Sequence, residues 1–334
     1  MIRARRGVAA PRDAVSTQRL VNRHGDAVVL LDFGARVASI RLQLESGPRD
    51  VVLAYPDAHA YLADRYFLGG TIGRYGNRIR NATFDMDGAP VTLSANEGAH
   101  HLHGGSQGFH QRRWSMTAKH GEQRVEYRLR SPDGDQGYPG NVDARVVFGW
   151  SDERELEITY TATTDRPTHV NLTNHAYFNL GASSPDILDH RVAIHADHYT
   201  VLDEAFLPTG EIRDLAGTAL DLRTPRTVRD LLAGGDASVR AARGADVNYV
   251  LSNAPAAATV LSPEGDLEMT VRTSCPGLQF YTGQYLAAPF HPYAGLCLES
   301  QHFPDAPNQA TFPSTRLDPG QTWTETTTYH FTAG

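Results

Sequence analysis

Two cysteines in 334 residues are too few for a disulfide framework, and Cys275 and Cys297 lack the CxxC spacing of a thiolate metal site or redox motif. Both lie in apolar runs, where cysteine acts as a small hydrophobe; a single bridge between them is the one covalent alternative. Long apolar runs are also lacking, and none is long enough to cross a bilayer as a helix. The opening "MIRARRGVAAPRDAV" carries basic residues, including Arg5-Arg6, but no apolar stretch before Pro11, which argues against a secretory or twin-arginine leader. Beyond "RARR" there is no run of Lys or Arg, and a formal charge of −7 is spread along the chain in both signs. That pattern offers no footprint for nucleic acid or an anionic membrane. The expectation is a soluble, acidic, cytoplasmic protein with a small-molecule partner, either monomer or homodimer.

Helical periodicity is scarce. "DAHAYLADRYF" and "TVRDLLAG" predict short helices, the second with Thr227 as N-cap. Elsewhere, runs rich in Val, Ile, Thr, Tyr and Phe recur between turn signals: "AVVLLDFG", "EYRLRSPDG", "ELEITYTATTD", "HRVAIHAD", "LEMTVRTSCPG" and "TTTYHFTAG". These read as strands of four to eight residues. In "LEITYTA", Leu156, Ile158 and Tyr160 face one way, with Glu157, Thr159 and Thr161 on the other face. The 19 prolines and 30 glycines are distributed almost evenly, with neither a linker nor a fixed repeat. The fold class predicted is all-β: one large antiparallel β-sandwich over residues 15–334, preceded by an N-terminal extension (1–14) open to disorder.

Four clusters combine polar residues with tight glycine turns. In "GGTIGRYGNRIRNATF", glycines let the backbone approach a ligand, and Arg78 beside Asn77 offers a planar fork of donors; a surface arginine on a loop is the plainer reading. In "HHLHGGSQGF", His101 and His103 share a face if the segment is a strand. That H-x-H spacing suits a metal-binding β-barrel, although an exposed loop fits equally. In "NLTNHAYFNL", a strand would put His175, Tyr177 and Asn179 on one face; a lone buried histidine is either structural or catalytic. Near the end, alternation in "GLCLESQ" separates Leu296, Leu298 and Ser300 from Cys297, Glu299 and Gln301, and Gln279 and Tyr281 point together in "GLQFYTG". Glu299 is then a rim charge or a carboxylate at a tuned site. Asp246 in "RGADVNYVL" starts a strand, with an Asx turn as its plainer role.

Taken in order, "GRYGNRI", "LHGG", "SPDGDQGYPG", "NLTNHAYFNL", "GLQFYTG", "CLESQ" and "FPDAPNQ" resemble the segments of the aldose 1-epimerase, or galactose mutarotase, family from about residue 15 onward. The resemblance implies a large β-sandwich with an open cleft, and isomerisation of free aldoses such as galactose or glucose. It implies Glu299 as general base and His175 as general acid, with His103 polarising the ring oxygen. Arg78, Asn77, Asp246 and Gln279 would hold sugar hydroxyls, and no cofactor or metal is called for. One departure stands out: the family commonly has histidine after this aspartate, where the chain has Val247.

The reaction opens a hemiacetal ring and recloses it on the other face. It needs a base for the anomeric hydroxyl and an acid for the ring oxygen, each worth about a hundredfold to ten-thousandfold. An ionised glutamate and an imidazolium close enough to neutrality to donate form the expected pair, with the carboxylate favouring the charged histidine. Three alternatives use the same residues differently. A metal enzyme would build on His101 and His103, a glycosidase needs two carboxylates about a bond, and a sugar-binding module needs neither proton-transfer group. Arg74, Arg78 and Arg80 leave a hexose 6-phosphate substrate open.

Overall fold

The computed structural model describes residues 14–118 and 121–334; the expected extension, up to residue 13, lies outside them. Strands dominate, and three antiparallel sheets carry the architecture. The largest has nine strands. In spatial order they are Ser115–Ala118, Arg124–Ser131, Val142–Trp150, Glu155–Thr164, Trp323–Ala333, Leu267–Thr273, Ala258–Leu261, Arg191–Ile194 and Arg226–Thr227. A five-stranded sheet runs Pro208–Asp214, Ala196–Leu202, Asp246–Leu251, Gly277–Tyr281, Cys297–Gln301, and a four-stranded sheet spans Thr17 to Asp50. Their inner faces meet in one continuous apolar cluster, for example Val28 and Ile40 with Val146, Ile158 and Phe331, and with Val247, Phe280 and Leu298. This is the sandwich the alternating sequence predicted, because a period of two gives each strand one apolar face to bury.

The alternation holds residue by residue. Leu156, Ile158 and Tyr160 are buried and the residues between them are half-exposed. Of the two predicted helices, "DAHAYLADRYF" forms a 3-10 turn over Ala58–Ala63 capped by Asp57, and "TVRDLLAG" an α-helix over Val228–Ala233. The Thr227 side chain caps that helix by accepting from the Asp230 N–H. A second helix, Ala237–Ala242, was not anticipated; it follows an Asp236 N-cap. Cys275 and Cys297 are both free and buried, so the bridge between them does not exist.

Two expectations are corrected. "NLTNHAYFNL" is not one strand: only Thr173–Asn174 pairs regularly, with Thr71–Ile72, and the chain then runs irregularly except for single bridges at Phe178. Backbone hydrogen bonds still fix His175, whose N–H donates to Gly70 O while its carbonyl accepts from Gly69. His101 and His103 do not share a face either. The strand is only His101–Leu102, and His103 adopts a left-handed conformation with φ 50°, which ends the period-two pattern.

Candidate active site

Antiparallel pairing sets the floor of the site. Gln279 lies opposite Glu299 and Asn248, and Tyr281 lies opposite Asp246 and Cys297. Directly opposed residues share a face, so Asp246, Gln279, Tyr281, Cys297 and Glu299 lie on the face turned away from the main apolar cluster, while Val247, Phe280 and Leu298 enter that cluster; Cys297 is buried in a second, smaller one. Val247 therefore occupies a core position on the opposite face from Asp246. The valine found where the family commonly has histidine thus contributes to packing, and Asp246 is held by Gln279 Nε2 at 2.5 Å and by Arg78 Nη1 at 3.7 Å.

The other wall comes from the two glycine-rich segments. Arg78–Ile79 pairs with His101–Leu102. Asn77 and His103 then lock each other: the His103 N–H donates to Asn77 O at 3.0 Å, and the Asn77 N–H donates to His103 Nδ1 at 3.1 Å. An Nδ1 that accepts leaves a neutral ring with its proton on Nε2, the nitrogen free to meet a ligand. Gly104 must be glycine, since its φ is +79° and a Cβ would lie 1.8 Å from Gly73 O. His101, by contrast, is wholly buried between Ser94 O at 2.7 Å and the Tyr138 hydroxyl at 2.9 Å. It is structural, and the metal site built on His101 with His103 does not form.

His175, His103 and Glu299 converge. The His175 Nε2 and Glu299 Oε1 are 3.7 Å apart, and the His103 and His175 ring centroids are 5.3 Å apart. Phe67 packs against both histidines, with Tyr177 and Tyr281 beyond. The cavity they line with Asn77, Arg78 and Asp246 is about 170 Å³, below the several hundred cubic ångströms of drug-sized sites and suited to one small ring. Six of the seven residues expected at the site line it. Gln279 is the exception: it stands behind Asp246 and orients that carboxylate instead of forming the wall.

Burial controls the titration. It pushes His175 down to about 4 and holds His103 well below its ordinary value, the His175 ring adding to the effect at His103. It pushes Glu299 well upward, with the Asp246 carboxylate adding to the effect and Arg78 opposing it. The expectation of an ionised glutamate facing an imidazolium is thus corrected: in a buried, aromatic-walled cavity both are driven toward their neutral forms. Glu299 Oε2 is buried with no hydrogen-bond partner among the described residues.

The sequence reading missed Glu97, whose two oxygens take Arg78 Nε at 2.6 Å and Nη2 at 2.7 Å. It also missed Phe67 as a wall and Tyr285 at the rim. "ANEG" carries no local signal of this role, because the pairing with Arg78 exists only once the strand from Arg78 meets His101–Leu102.

A carboxyl and an imidazole facing each other across a small, polar-rimmed cavity on a β-sandwich define an acid–base enzyme for a small neutral ring, a carbohydrate isomerase. Comparison with known proteins agrees. The family model described as aldose 1-epimerase matches residues 16–330, and the chain belongs to the aldose 1-epimerase family. It is 38% identical to the aldose 1-epimerase of Escherichia coli K12, over 94% of each chain. It is 37% identical to the galactose mutarotase of Bos taurus, over 91% of this chain and 90% of the other. Among solved structures, an aldose epimerase homologue from C. elegans superposes with a TM-score of 0.89 at 29% identity, covering 96% of this chain and 99% of the other. Galactose 1-epimerase from Lactobacillus acidophilus gives 0.87 at 29%, covering 96% and 95%.

Proposed function

We propose that the protein interconverts the α and β anomers of free aldoses such as galactose or glucose, with Glu299 as base and His175 as acid. The observation that carries this reading is the 3.7 Å approach of His175 Nε2 to Glu299 Oε1 at the floor of the cavity. Glu299 takes the proton of the anomeric hydroxyl, and its unpartnered Oε2 is the natural acceptor. His175 gives a proton to the ring oxygen, which His103 Nε2–H also polarises. The C1–O5 bond breaks, the aldehyde rotates, and reclosure reverses both transfers. Ring opening consumes a carboxylate and an imidazolium and leaves a neutral acid and a neutral imidazole. Burial holds the resting pair in its neutral forms, so the Glu299 proton first passes to His175 to create the charged pair, and ring opening returns both groups to the neutral forms that burial favours. Asp246, Arg78 and Asn77 hold the hydroxyls, and Tyr177 and Tyr281 lie against the apolar edge of the ring.

The same geometry favours neutral sugars over hexose 6-phosphates. Arg74 is buried and spends its guanidinium on Ser131, Pro132, Pro139 and Gly140, and Arg80 binds Asp203 and Asp305. Neither lines the cavity, and Arg78 is held by Glu97, so the basic cluster read along the sequence is dispersed in space. A polarimetric rate panel with freshly dissolved α-galactose, α-glucose, xylose, arabinose and a hexose 6-phosphate tests the reading. Acceleration is expected for neutral aldoses and survives treatment with a chelator. No acceleration with any of them overturns the function, and a preference for the phosphate overturns the substrate class. The reading includes one domain over 15–334 and a cytoplasmic enzyme, supported by two buried free cysteines that fit a reducing compartment, acting as a monomer or homodimer. Among the described residues no helix is long and apolar enough to cross a membrane.

A further inference from the structure

Cys297 is a wholly buried thiol that the reaction leaves unused, and it touches the acid. Its Sγ lies 3.5 Å from His175 Nδ1, while Glu299 Oε1 lies 3.7 Å from Nε2 of the same ring. Strand period explains the arrangement. Residues 297 and 299 of the strand Cys297–Gln301 share one face, about 7 Å apart, so a single strand offers a neighbour to each nitrogen of one imidazole. Phe67, Tyr177 and His103 pack around that ring. Packing holds the ring in place, and the two strand residues govern where its protons sit.

A neutral imidazole carries one N–H, and its position decides whether Glu299 and His175 can act together. Burial drives both groups toward their neutral forms, so Glu299 creates the working pair only by giving its proton to a lone pair on Nε2. The resting proton then stands on Nδ1, where it needs an acceptor. The Cys297 sulfur is one, and burial keeps that thiol uncharged. The backbone of His175 supplies another: its carbonyl, which can only accept, hydrogen-bonds its own ring, and Nδ1 is the ring nitrogen nearer the backbone. An uncharged sulfur also suits an acid. A carboxylate at Nδ1 would stabilise the imidazolium by attraction, whereas sulfur is a weak acceptor that orients the ring and leaves its added proton easy to give away.

We propose that Cys297 is a positioning residue for the reaction: its Sγ accepts from His175 Nδ1–H, fixes the tautomer that leaves Nε2 open to the Glu299 proton, and keeps that bond while Nε2–H is delivered to the ring oxygen. Cys297 itself stands outside the cavity lining and touches neither the sugar nor the proton in transit. This inference rests on the proposed roles of Glu299 and His175.

The test uses the full-length chain with nitrogen-15-labelled histidine, the His175 signals being those lost in His175→Gln. In sugar-free wild-type protein near neutral pH, the ring nitrogens are expected to report N–H at Nδ1 and a bare Nε2. Cys297→Ala is expected to mix the two tautomers and to lower kcat for α-galactose about fivefold, the worth of one ordinary hydrogen bond, with KM unchanged. Cys297→Ser restores an acceptor of similar size and is expected to keep the Nδ1–H ring and return kcat to within about twofold of wild type. Circular dichroism checks both folds, and the wild-type and serine measurements carry the test if the alanine variant does not fold. A wild-type ring with its proton on Nε2 overturns the inference. So does an alanine variant that keeps the single tautomer or the wild-type kcat, or that changes KM alone, and so does a serine variant that loses the Nδ1 proton or the rate. The reading of the function fails separately: wild-type protein that does not accelerate mutarotation defeats that reading, while the spectra, taken without sugar, still show which nitrogen carries the proton.

Discussion

Two buried acid–base pairs lie close together in this molecule, and they are built to opposite specifications. Arg36 and Asp64 are both fully buried and 2.8 Å apart. Arg36 also donates to Leu68 O and His110 O, while Asp64 accepts from the Leu68 and Tyr66 N–H groups and the Tyr55 hydroxyl. Among the described residues, only Arg36 Nε of this pair is left without a partner. His175 and Glu299 are nearly as deeply buried, yet they stand 3.7 Å apart and Glu299 Oε2 has no partner among the described residues. Burying an ionised pair is tolerable when hydrogen bonds saturate it and costly when they do not. The first pair anchors the turn that carries Phe67; the second leaves its unsatisfied atoms for a ligand to fill.

The largest effect should come from opening the second pair further. Glu299→Gln keeps the shape and removes the base, and is expected to lower kcat for α-galactose by about a hundredfold to ten-thousandfold, with the midpoint of urea unfolding unchanged or raised. Polarimetry and a denaturation curve read the two halves; wild-type turnover would remove Glu299 from the mechanism. The same operation on the first pair should do the reverse. Asp64→Ala strands the Arg36 guanidinium in the core and is expected to cost about 3–5 kcal/mol of stability, measured by the same urea unfolding. A loss below about 1 kcal/mol would mean that the saturated pair is no anchor.

The ionisation of His175 sharpens the contrast. Its value is pushed to about 4 by burial, with Arg36 contributing and Asp64 opposing. A lowered value means the imidazole is neutral throughout the neutral range and gains its proton only near pH 4, a few hundredfold harder to protonate than free histidine. NMR of the His175 ring in sugar-free enzyme checks this, and an imidazolium present at pH 6 would break it. The smallest effect concerns the group that links Arg78 to the site. Glu97→Gln should weaken sugar binding about tenfold, about 1.4 kcal/mol, appearing in KM while kcat holds. A fall in kcat alone would show that Glu97 acts on the proton transfer and not on the position of Arg78.

Much of this was legible along the chain. Alternation assigned Gln279 with Tyr281 and Cys297 with Glu299 to one face, because the period of a strand is two and one face had to be apolar. Thr227 was legible as a helix cap because capping is local. His101 and His103 were misread for the converse reason: a left-handed residue at 103 breaks the period, and nothing in "HHLHGG" distinguishes that break from a continuing strand. Gln279 was expected to hold sugar hydroxyls; it lies on the expected face and bonds Asp246 without lining the cavity, since alternation gives a face and not a depth. Val247 was read beside Asp246 in sequence, yet neighbours in a strand face opposite ways.

The sequence by itself determined the class of fold, the strand faces and most of the residues with chemistry to offer, since those follow from period, turn propensity and side-chain type. Only tertiary structure decided which of them meet: that His175 and Glu299, 124 positions apart in the numbering, share one cavity, that Glu97 grips Arg78, and that Arg74 and Arg80 face elsewhere. Contacts between distant segments depend on how sheets register and pack. The shift of His175 and Glu299 toward their neutral forms depends on the desolvation that this packing creates.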